Sequence, residues 1–103
     1  MSDENQILIP QSFMVLFLDP GRSRPNAPRE VVAGRYELCE DMANLLTEHA
    51  QTTVFEQGVS ESQVLLRCRQ SLLVEGSVFS EPEAGWIICR LAELLNWPLT
   101  AEI

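Results

Sequence analysis

Between Asn26 and His49 the chain carries two neighbouring lines of apolar residues at helical spacing, and no other feature restricts the fold as strongly. One line runs Val32, Tyr36, Cys39, Ala43, Leu46, Ala50 and the other Leu38, Met42, Leu45, His49, while Glu30, Glu37, Asp41, Asn44 and Glu48 take the opposite side. Steps of three and four keep side chains on one face of a helix. A helix of about 20 residues is roughly 30 Å long, so this segment becomes the central element against which the others must pack. Val54 remains in phase beyond the β-branched Thr52 and Thr53, so the helix ends either near Gln51 or at Gln57.

The segments that follow are punctuated by capping chemistry. Gly58 suits a helix stop, Ser60 an N-cap with Gln63 as its capping-box partner, and Val59 with Val64 a hydrophobic staple. A helix from Ser60 then turns Val64, Leu65, Cys68, Leu72 and Leu73 inward, with Arg67 and Gln70 outward. The same signals recur at Ser80 and Glu83, with Pro82 in the first turn, where its missing N–H costs little. Ala84, Ile87, Ile88, Leu91, Leu94 and Leu95 form the buried stripe of that last helix, and Pro98 closes it by forcing Trp97 out of helical geometry. Ahead of the central helix, Pro10, the Phe13–Phe17 spacing and the Pro20–Gly21 stop favour a short helix, although the apolar run between them is also strand composition. The expected fold is all-α, a compact four-helix bundle with a short first helix. Its parts are a flexible N-terminal segment at 1–8, a single helical domain over 9–97 and a C-terminal tail at 98–103.

Composition bounds what such a bundle can do. A chain of 103 residues, 46% apolar and 21% charged, is long enough for one small core and too apolar for disorder. Fifteen acids against seven bases give a net charge of −8, which repels a phosphate backbone, so no nucleic-acid partner is expected. Every base is arginine and there is no lysine. A phosphate-cradling P-loop requires one, and nucleotide hydrolysis of that kind is excluded. The longest apolar run, Phe13 to Leu18, is too short to cross a bilayer and the acidic start lacks a secretion signal, so the expectation is a cytoplasmic protein with no membrane partner.

The candidate chemistry is sparse. Cys39, Cys68, Cys89 and His49 could in principle meet around zinc, but no Cys-x-x-Cys or paired histidine supports it, and each cysteine is read as part of a buried helix face. Cys39 and His49 stand about 15 Å apart along one helix, too far for a nucleophile and its base. His49 is read instead as a residue tolerated near the negative end of a helix. Glu40 with Asp41 and Glu81 with Glu83 are read as solvated or helix-capping acids. No catalytic residue, metal site or cofactor is therefore expected, and the chain is read as a non-enzyme. What stands out is "DPGRSRPNAPRE", in which Arg22, Arg24 and Arg29 are spaced by Pro20, Pro25 and Pro28. These arginines could dock a protein partner, hold an anion at the start of the central helix, or pair with the chain's own acids. Trp86, beside Gly85, and Trp97 are candidate interface anchors.

At "FMVLFLDPGRSRPNAPREVVAGRYELCEDMANLLTEHA" and again at "EAGWIICRLAELLNW" the chain resembles a family of small uncharacterised betaproteobacterial proteins often labelled "ATPase with chaperone activity", over about Ile9 to Trp97. The resemblance implies a bacterial, cytoplasmic protein and carries no catalytic motif onto these residues. The functional expectation is a non-enzymatic protein–protein interaction module that uses segment 20–29. The alternative is a sensor or binder of a small anionic ligand at the N-terminus of the central helix. Two apolar lines on one helix also allow a homodimer, if the other helices cover only one of them.

Overall fold

The structure, a computed structural model, describes residues 8–99. All but Leu8 of the expected flexible segment at 1–8, and all but Pro98 and Leu99 of the expected tail at 98–103, lie outside them. Among the described residues there are four α-helices and no strand, so the fold is all-α: α1 (Gln11–Met14), α2 (Arg29–Gln57), α3 (Glu61–Leu72) and α4 (Glu81–Leu95). The chain divides into two compact units, Met1–Leu38 and Cys39–Ile103.

In the first unit the run from Pro10 is helical. Pro10 is extended, and its carbonyl accepts the N–H groups of Phe13 and Met14, each at 3.0 Å. One α-turn follows, tightening into a 3₁₀ turn at Val15–Phe17. Phe13 is the buried residue of α1. Its ring centroid lies 5.6 Å from that of Phe17 and 5.5 Å from that of Tyr36, the latter edge to face. Such aromatic pairs add about 0.5–1.5 kcal/mol to the burial itself, which is how an element too short to be helical alone is held. An isolated antiparallel bridge pairs Leu18 with Pro25 before α2 begins.

In the second unit α2 runs on to Gln57 despite its β-branched cluster. Thr53 is buried and its hydroxyl donates to the His49 carbonyl at 2.8 Å. Burial outweighs a propensity penalty of only a few tenths of a kcal/mol per residue. Gly58, at φ +67°, stops the helix and donates its N–H to the Val54 carbonyl. A left-handed residue after the last turn is the ordinary way to satisfy such a carbonyl. The Ser60 hydroxyl then caps α3 by accepting the Gln63 N–H at 3.1 Å. The Gln63 side chain does not return the bond, so only half of the expected capping box forms here. At α4 both halves are present, Glu83 N–H to Ser80 and Ser80 N–H to the Glu83 carboxylate.

The end of α4 has a second cause beside Pro98. Asn96 adopts the left-handed conformation, φ +60°, its N–H reaches the Glu93 carbonyl, and the Trp97 N–H reaches that of Ala92 at 2.8 Å. The pair of bonds is a Schellman cap with asparagine in the glycine position.

Packing sorts the expected faces. The α3 and α4 stripes hold, with Val64, Leu65, Cys68 and Leu72 of α3 and Ile87, Ile88 and Leu91 of α4 buried, while Leu94 and Leu95 are only half-buried. Three local readings change. Cys89 is exposed rather than buried, because it is off the Ala84–Ile87–Ile88–Leu91 stripe of α4. His49 lies well over one turn before the helix end at Gln57, beyond the reach of the terminal dipole. Of the two apolar lines on α2, Val32, Cys39, Ala43 and Ala50 are buried, whereas Leu45 is 72% exposed.

Gly34 is exposed within α2, and a Cβ added there meets nothing within 4 Å. Gly34→Ala is therefore expected to raise stability by about 0.8–1 kcal/mol, the helix-propensity difference, read as a higher urea midpoint with unchanged slope.

Candidate functional site

The arginine-bearing loop closes on itself. Asp19, Pro20, Gly21 and Arg22 make a β-turn in which the Arg22 N–H donates to the Asp19 carbonyl at 3.0 Å and Gly21 takes φ +77°. Proline then glycine at the two central positions is what a type II turn selects. Asn26 completes the closure, its backbone N–H donating to the Phe17 carbonyl and its side-chain amide to the Asp19 carboxylate at 3.0 Å. The tip between these bonds carries Arg22 and Arg24, both exposed. Among the described residues neither forms an ion pair, so pairing with the described acids does not account for them. Arg29 is exposed as well, opens α2, and is engaged by other groups of the chain. Glu30 already places a negative charge in the first turn of that helix, which opposes a further anion there.

Trp86 and Trp97 are both half-buried. Trp86 is engaged within the chain, and the backbone of Trp97 belongs to the cap of α4.

The tertiary structure adds a groove that no sequence motif marks. It has a volume of about 290 Å³ and lies between the second half of α2 and α3. Thr53, Val64 and Cys68 are its buried members, with Leu46 half-buried beside them. His49, Gln57, Arg67 and Ser71 line it as exposed residues. The Arg67 guanidinium donates through Nη1 to Gln57 Oε1 at 3.0 Å, and among the described residues it has no carboxylate partner. His49 thus shares a groove with Cys68, not with Cys39. Burial pushes the Cys68 thiol up from its ordinary value, the opposite of what activates a nucleophilic cysteine. Recognising this site from sequence would have required knowing that Gly58 folds α3 back beside α2.

Glu40, expected from the sequence as a solvated acid, is instead half-buried and belongs to a structural polar constellation. Arg90 holds Glu40 through Nε at 2.9 Å and Nη2 at 3.0 Å, and reaches Glu93 through Nη1 at 2.6 Å. Asn44 donates to the same Glu40 carboxylate at 3.2 Å. These bonds hold the Glu40 carboxyl below its usual range.

Among the described residues no three metal-ligating side chains cluster, and no helix is long and apolar enough to cross a membrane. Comparison of the chain with protein-family models, with curated proteins and with solved structures gives no match in any of the three.

Proposed function

We propose that the protein is a non-enzymatic interaction module that docks an acidic surface of a protein partner through the loop at 18–26. The observation that carries this reading is the pair Arg22 and Arg24, exposed and without ion-pair partners among the described residues, on a loop closed by its own hydrogen bonds in a chain of net charge −8. A closed loop has already lost much of its conformational freedom, so binding costs less ordering entropy. Guanidinium groups suit carboxylates because they donate two parallel hydrogen bonds. The three free cysteines fit a reducing, cytoplasmic setting.

The test compares the wild-type chain with Arg22→Ala/Arg24→Ala as baits in native extract at two salt concentrations. A partner retained by the wild type at low salt, released at higher salt, and lost with the double variant is the expected result. Identical recoveries with both baits would remove the loop from the binding surface. Both side chains are exposed, so the variant keeps its fold, which circular dichroism checks.

A further inference from the structure

We infer that the groove between α2 and α3 is a binding site for a small organic anion, a carboxylate carrying a short apolar chain. This inference is independent of the arginine loop. The groove holds Arg67 and His49 at its exposed edge, together with Ser71 and the amide of Gln57, over a buried interior that includes Val64 and Cys68.

Three observations point to that ligand chemistry. The first is charge: acids outnumber bases fifteen to seven in the chain, yet no residue lining the groove is acidic. A carboxylate ligand therefore meets a guanidinium and an imidazole without a competing carboxylate in the lining. The second is the state of Arg67. Its Nη1 is fixed by the neutral Gln57 Oε1, which restrains the guanidinium while, among the described residues, no carboxylate compensates its positive charge and its other N–H donors remain for a ligand. A restrained fork loses less freedom on binding than a free one. The third is the interior. Val64 and Cys68 are buried there, and burial keeps the Cys68 thiol protonated, so it serves as a small apolar surface rather than a competing anion. Apolar floor with a few polar groups at the edge is the usual composition of a small-molecule site. At about 290 Å³ the groove suits a ligand at the small end of that class.

The experiment uses ¹⁵N-labelled full-length protein titrated with hexanoate, hexanol, hexylammonium and inorganic phosphate, followed through the amide signals of His49, Thr53, Arg67 and Ser71. Hexanoate is expected to give saturable shifts at those four amides with a millimolar dissociation constant, as ligand efficiency allows for so small a molecule. Hexanol and phosphate, each carrying half of the recognition, bind at least fivefold more weakly, and hexylammonium does not bind. Arg67→Gln weakens hexanoate binding at least fivefold, while Arg69→Gln, the same charge change on the same helix but outside the groove lining, leaves it within twofold. Equal binding of hexanol and hexanoate would reduce the groove to an apolar cleft and overturn the proposal. So would equal losses in the two arginine variants, preferred binding of phosphate, or no saturation by any probe. Arg67 is exposed, so its variant tests binding rather than folding.

Discussion

Replacing Phe13 by alanine is expected to destabilise the protein by about 3–5 kcal/mol, a large part of the roughly 5–15 kcal/mol that holds a domain of this size together. Phe13 is fully buried and is the buried residue of α1, an element of one turn that cannot persist on its own helical propensity. Removing the ring deletes its contacts with Phe17 and Tyr36 and leaves a cavity that so short a helix fills only by losing its conformation. Phe55 provides the contrast. It is 89% exposed on α2, and Phe55→Ala should change stability by no more than about 0.5 kcal/mol. Urea unfolding of both variants measures the difference. Similar losses for the two would mean that the aromatic cluster around Phe13 does not anchor the first unit.

The second large effect concerns Glu40 and Arg90. Arg90→Met should cost about 1.5–3 kcal/mol at neutral pH, because it removes charge-assisted hydrogen bonds from a carboxylate that is mostly shielded from solvent. Glu40→Gln should cost less, since an amide still accepts one bond from the guanidinium. The pH dependence follows from the lowered pKa of Glu40, whose largest cause is the Arg90 hydrogen bond. Unfolded, the carboxyl titrates near its ordinary value of 4.5; folded, it holds its charge to lower pH. Between those values the unfolded chain binds more protons, so stability rises with pH across the window. The contribution is complete above the ordinary value and disappears as pH falls through the folded one. Arg90 stays charged in both states throughout this range and adds no slope. The stability gap between wild type and Glu40→Gln should therefore be full at neutral pH and shrink well below pH 4.5. A gap independent of pH would show that the pair contributes shape rather than charge.

Local chemistry made much of the fold legible in advance. A left-handed glycine, a serine whose hydroxyl accepts the N3 amide and a glutamate that returns the bond act within a few residues, so Gly58, Ser60, Ser80 and Glu83 could be assigned from the chain alone. The same holds for the α3 and α4 stripes, because helical periodicity is a property of neighbouring residues. Where a boundary depended on a less specific residue the sequence was ambiguous: asparagine tolerates the left-handed conformation without announcing it, and the Asn96 cap of α4 emerged only from its dihedrals.

The candidate sites divide in the same way. That three arginines and three prolines make a stiff, charged connection is written in residues 20–29. That Arg22 and Arg24 meet no acid among the described residues while Asn26 and Asp19 close the loop depends on where side chains land in space. Glu40 and Arg90 lie fifty residues apart, and the groove joins His49 to Arg67 across a chain reversal at Gly58. Hydrophobic periodicity places a residue on a face of its own helix but does not say which face another helix will cover. For that reason Leu45 of the second apolar line is exposed. Sequence alone determined the three longer helices, their serine and glycine caps and the charge of the chain, since these rest on interactions between near neighbours; tertiary structure decided that the run after Pro10 is helical, which lines were buried, which charges were paired and where a groove opened, since those depend on distances that only the packed chain defines.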